Sequence, residues 1–152
     1  MFSTVRYFVK TSIIFLLIGI ITGLHLLIAR NYFGSWPHPD SVSAHTHIIL
    51  VGSVMMMIMG VALWFFPRPE KDDKFYKPDL ILAAYFIISA STFIRFSSQV
   101  ISTFVLPNEL LKFLLTISAI GQVIGIIIFF ISIWGRIRSV GSHIRESKGE
   151  KF

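Results

Sequence analysis

Four apolar runs, at about 11–29, 42–66, 80–106 and 110–134, dominate this chain of 152 residues. Each is close to the roughly 20 residues a helix needs to cross the hydrocarbon core of a bilayer. A spanning helix satisfies its own backbone polar groups, as lipid requires. The runs therefore predict an all-α membrane protein, a four-transmembrane-helix bundle with the lipid bilayer as its solvent. Composition agrees: 54% of residues are hydrophobic and 14% charged, against about a quarter charged in a soluble domain.

The segments between the runs are short. "RNYFGSWPHPD", "PRPEKDDKFYKPD" and "PNE" leave no room for a soluble domain, and Pro67, Pro69, Pro78 and Pro107 punctuate helix ends. One domain is expected over 1–135, followed by a frayed basic tail at 136–152. The first run is longer than a signal-peptide core and lacks a following A-x-A-like site, so it reads as a retained helix.

Most of the 14 basic residues flank one side of the expected bundle. Arg6 and Lys10 precede helix 1. Arg68, Lys71, Lys74 and Lys77 lie in the second loop, and Arg136, Arg138, Arg145, Lys148 and Lys151 in the tail. The positive-inside rule then places both termini in the cytoplasm, in a multi-pass protein of the cell membrane. Tyr32 and Trp36 on the outer side, with Trp64 and Trp134 on the inner, fit two aromatic belts. The net charge of +6 is thus a topology signal, and no nucleic-acid partner is expected. The absence of cysteine excludes disulfides, thiolate metal sites and cysteine nucleophiles.

Ionisable groups inside a span are costly and mark function. Here they are His25 in helix 1, His45 and His47 at the mouth of helix 2, and Arg95 in helix 3, with Gln99 and Gln122 as uncharged additions. At 1.5 Å per residue, His25 lies about 7 Å below Arg30 and the helix 2 pair roughly 7 to 10 Å below Asp40. Arg95 is roughly 22 Å from the inner end of helix 3, so all fall at a similar depth near the outer side. His38 and His143 read as solvated loop residues.

On an ideal helix His45 and His47 point about 200° apart. Gly52 and Gly60 fall within about 60° of His45, forming a notched stripe for a flat ring or a neighbouring helix backbone. Thr92, Arg95, Gln99 and Ser102 form one polar stripe on helix 3, expected to face inward. "GIITG" (Gly19, Gly23) and "GQVIG" (Gly121, Gly125) fit the small-xxx-small rule for close helix contact. A haem explains this pattern. Imidazole ligates iron, an apolar macrocycle fills space between helices, and Arg95 suits a propionate. Depth favours His25 and His45 as axial ligands, within one chain or across an oligomer interface, with His47 as substitute ligand or hydrogen bonder.

The stretch "AHTHIILVGSVMMMIMGVALWFFPR", Ala44 to Arg68, resembles helix II of subunit I of the haem-copper oxidase superfamily, especially the nitric oxide reductase and cbb3-type branches. It is similar also to small four-helix subunit-I-like membrane proteins. In the family a histidine at the outer end of this helix ligates low-spin haem b, which corresponds to His45. Gly60, Trp64 and Pro67 match the glycine, aromatic and proline towards the inner end. The resemblance implies binding of haem b. It does not extend to oxygen or nitric oxide reduction, because the family's remaining haem and copper ligands lie on later helices that this chain lacks.

The expected function is therefore an integral-membrane b-type cytochrome for electron transfer or gas (NO or O2) binding. Its cofactor-binding residues are His25, His45, His47, Arg95, Gln99, Gly52 and Gly60. A homo-oligomer or a respiratory-chain partner is expected. One alternative is a copper-handling protein using His-x-His with Met55 and Met59, since thioether and imidazole suit Cu(I). The other is a structural accessory subunit of a respiratory complex.

Overall fold

The computed structural model describes residues 2–66, 78–106, 108–137 and 148–149, and every regular element among them is helical. Helix α1 is Phe2–Phe33, α2 is Pro39–Phe65, α3 is Pro78–Ser102 and α4 is Glu109–Ile133. A 3₁₀ turn, Trp134–Arg136, closes α4. All four helices are long and apolar enough to cross a membrane. The second loop and most of the tail, with Arg68, Lys71, Lys74, Lys77, Arg138, His143, Arg145 and Lys151, lie outside the described residues.

Helix ends depart from the limits of the apolar runs because caps set them, whereas hydropathy marks only the lipid-compatible part. α1 begins at Phe2, well before residue 11. α2 begins at Pro39, where a proline loses nothing by lacking an N–H. His38, expected to be merely solvated, caps it: its Nδ1 accepts from the Asp40 N–H at 3.2 Å. α3 stops at Ser102 rather than 106. The Thr103 hydroxyl bonds back to the carbonyl of Val100 (2.7 Å), competing with the helix just past its last turn. Asn108 caps α4 through Oδ1, which accepts the Leu111 N–H at 2.9 Å. Asn108→Ala should cost about 1 kcal/mol, read as a lower melting temperature in detergent.

α2 is not one uniform helix. Ile48–Met55, directly after His47, is π-helical, and the α-form resumes over Met56–Phe65. A π-turn bonds i to i+5 and so changes which residues share a face.

Helices α2 and α4 both pack along α3 rather than along each other, and α1 packs along α2. Both small-xxx-small pairs sit at these contacts, as expected. A side-chain carbon at Gly125 would stand 2.5 Å from Ile88 Cγ1, and Gly121 faces Ser91. Gly19 faces Ile49, and Gly23 faces His45. An apolar core runs from Phe8, Met59, Leu63 and Phe129, towards the Arg136 end, up to Ile48, the residue after His47. Phe8 meets Tyr85 and Phe129 edge-on, at ring separations of 5.3 and 5.7 Å.

The tail expectation needs correcting at its first residue. Arg136 is 1% exposed, and its Nη2 donates to the carbonyls of Leu63 (3.1 Å) and Phe66 (3.2 Å). The last carbonyls of a helix lack intrahelical partners, which makes the end of α2 a seat for a cation. Trp64 and Trp134 are exposed at this Arg136 end. At the other, histidine end, Arg30 lies over the Trp36 ring, 4.6 Å from its centroid.

Candidate functional site

The α2 mouth places its two imidazoles on different neighbours. His45 is half-buried and turned to α1, where Nδ1 is 2.9 Å from the Gly19 carbonyl oxygen. A carbonyl can only accept, so Nδ1 carries a proton, and in the neutral imidazole Nε2 keeps its lone pair. The ring tip rests over Gly23: a side-chain carbon there would be 2.6 Å from Cε1 and 3.2 Å from Nε2. Glycine at 23 is what lets the imidazole approach α1. His47, also half-buried, is held within α2, with Nδ1 2.9 Å from the Ser43 carbonyl oxygen and 3.3 Å from Ser43 Oγ. Its Nδ1 is the donor to that carbonyl too, which in the neutral ring leaves the lone pair on Nε2.

His25 is not brought to this pair. It is exposed on α1, about 200° around the helix from Gly23, so α1 itself stands between His25 and His45. Axial ligation of one iron by both within a single chain is not built here. Among the described residues no group of three His, Asp or Glu side chains is assembled for a metal.

Gly52 and Gly60 face α1, as His45 does, and α1 fills the notches they leave. Phe15 and, from α3, Thr92 occupy the space at Gly52, and Phe8 and Val9 that at Gly60. Of the two uses foreseen for this stripe, the structure has the neighbouring helix. Nor do the copper-reading methionines gather at the histidines. Met59 is 1% exposed in the apolar core, and Met55 packs against that core.

The α3 stripe does face inward and ties three helices together. Arg95 Nη1 donates to Gln122 Oε1 on α4 at 3.2 Å, and Gln122 Nε2 donates to Thr92 Oγ1 at 3.1 Å. Gln99 Nε2 donates to Ser43 Oγ on α2 at 2.7 Å, and Ser102 Oγ to Asp40 Oδ2 at 2.6 Å. Two contacts bracket Arg95 in depth, Gln99 with Ser43 above and Thr92 with Gly52 below, which puts it level with His47. Its face is another matter: Arg95 turns to α4 and His45 to α1, so one ring does not reach both within a chain. Sequence reading missed Ser43 and Asp40 as partners. The signal for Ser43 was its i, i+4 spacing to His47; Asp40 had none.

A hollow of about 300 Å³ on the outward side of α4 is lined by Ile127, Phe130, Ile131 and Trp134 and holds none of these residues.

Fold and polar groups together define an all-helical protein with four candidate membrane spans and a polar layer near one end. No family model matches the sequence, and searches of curated proteins and of solved structures return no match.

Proposed function

We propose that this is a multi-pass membrane protein of the cell membrane that binds haem b through an α2 imidazole, His45 first, for electron transfer or gas binding. One observation carries the reading: His45 Nδ1 lies 2.9 Å from the Gly19 carbonyl oxygen, which in the neutral imidazole makes Nδ1 the donor and leaves Nε2 as the acceptor. Metal-ligating imidazoles are held in this way, with the second nitrogen bonded to a carbonyl that fixes tautomer and ring orientation. His47 meets the same condition and is the substitute ligand. His25 faces away from the bundle, so it can contribute only to a haem shared with a second copy. A homo-oligomer is therefore part of the proposal. The basic N-terminus favours the cytoplasm for that end, with the histidine end outside.

Bound haem would supply a one-electron iron couple, or a gas site if one axial position stays open. The chain's own part is to fix the imidazole through Gly19 and Gly23 and to exclude water with the apolar faces around it.

The test is an absorption spectrum with metal analysis of protein purified from haem-replete membranes. A Soret band with sharp reduced α and β bands is expected. His45→Ala should lose the haem. His25→Ala should keep it but lose the six-coordinate signature. A wild-type spectrum in His45→Ala, or stoichiometric copper without haem, would sink the reading.

A further inference from the structure

Among the described residues no carboxylate pairs with the Arg95 cation. Among the same residues its guanidinium bonds to the neutral amide of Gln122, and its Nε is buried without a hydrogen-bond partner. Asp40, the carboxylate bound to this stripe, is held by Ser102, seven residues or about 10 Å along α3. Arg95 is half-buried, and a charge left without an opposite one is costly to the extent that burial removes its water. Lipid-exposed snorkelling does not account for it, because the Nε is buried and the head is fixed on α4.

A second unpaired group stands one turn away on the same face. Gln99 is 6% exposed, and its Oε1 is buried without a partner while its Nε2 reaches Ser43. A half-turn of the amide exchanges these ends. Ser43 Oγ–H then donates to Oε1, and the NH₂ takes the position of the unpartnered oxygen as a donor. Arg95 Nε–H and the Gln99 amide then form a pair of donors beside a positive charge.

We infer that Arg95 and Gln99 hold an oxyanion, of phosphate or carboxylate type, between α2 and α4 near the histidine end. The Arg95 Nε and the Gln99 Oε1 are both closed to solvent, and α2 and α4 flank α3 without packing along each other, so a lipid phosphodiester or a free anion would reach them between those two helices. This site stands on the α4-facing side and does not depend on iron at His45.

The test uses delipidated full-length protein in a phosphate-free maltoside detergent, in low-salt buffer with ionic strength held constant. One arm titrates inorganic phosphate and the other a short-chain phosphatidylglycerol. Either should raise the melting temperature saturably, by about 2–4 °C near saturation. A response to the lipid alone assigns the headgroup as source, and a response to inorganic phosphate assigns a free anion. Arg95→Gln should abolish the response. Gln99→Glu, which places a carboxylate one turn from Arg95, should raise the starting melting temperature and also abolish it. A wild-type protein indifferent to both probes overturns the inference. So does an undiminished response in Arg95→Gln, or in Gln99→Glu, which keeps the size of the native side chain.

Discussion

Arg136→Met is expected to lower the melting temperature by roughly 10 °C. The native guanidinium makes two charge-assisted hydrogen bonds to carbonyls at the end of α2, at 3.1 and 3.2 Å, from a side chain that is 1% exposed. Such bonds contribute about 1.5–3 kcal/mol each, and in a chain of this size about 1 kcal/mol moves the transition by 2–4 °C. Methionine matches the length of the stem, so the loss reports the head group. The contact also joins α2 to the turn after α4, two elements otherwise connected through α3. Arg136→Lys should recover part of the loss, because an ammonium keeps the charge without the planar fork. Thermal unfolding in detergent reads both variants. A shift below about 1 °C for Arg136→Met would show that this cap contributes nothing net.

Gly125→Val is expected to have the other large effect, a loss of about 3 kcal/mol or of the folded fraction altogether. The first added carbon would lie 2.5 Å from Ile88 Cγ1 and 3.3 Å from the Ile88 backbone nitrogen. A side chain could rotate away, but a backbone atom of the facing helix cannot, so α3 and α4 must separate. That separation would also pull Gln122 from Arg95 and Thr92. Size-exclusion profiles before and after heating measure the folded fraction. Gly23→Ala makes an informative contrast, since the atoms it meets belong to the His45 ring tip, 2.6 Å away at Cε1. The imidazole can swing aside, so stability should fall less, while any haem held by His45 should be lost or weakened.

The two variants probe what could and could not be read from residues alone. Gly121 and Gly125 announced a close helix contact by their spacing, because only small side chains let two backbones approach in lipid. Arg136 announced nothing. Inside a basic tail it looks like every other solvated arginine, and only the fold delivers the carbonyls of Leu63 and Phe66 to it. His38 is similar, a loop histidine until the turn before Pro39 makes it a cap.

For the candidate site the division is between depth and direction. The level of a residue along a helix follows from a fixed rise, so His47 and Arg95 could be placed at one height before any fold was known. Direction needs a face, and a helix apolar nearly all round has no marked inner side. His25 and His45 were paired by height, yet one is exposed on α1 and the other is turned onto Gly19 and Gly23. The π-segment after His47 adds to this, since it turns the face of α2 with little effect on depth.

By itself, then, the sequence determined an all-helical chain with four spans long enough for a membrane, the glycine contacts, and a polar layer at one height. Run length, residue size and helical rise are local properties. Tertiary structure alone decided which neighbour each polar group meets: His45 the α1 backbone, His47 Ser43, Arg95 Gln122 on α4, and Arg136 the end of α2. Those pairings depend on how four nearly featureless apolar cylinders rotate to fit one another, and shape complementarity between distant parts of the chain sets that rotation.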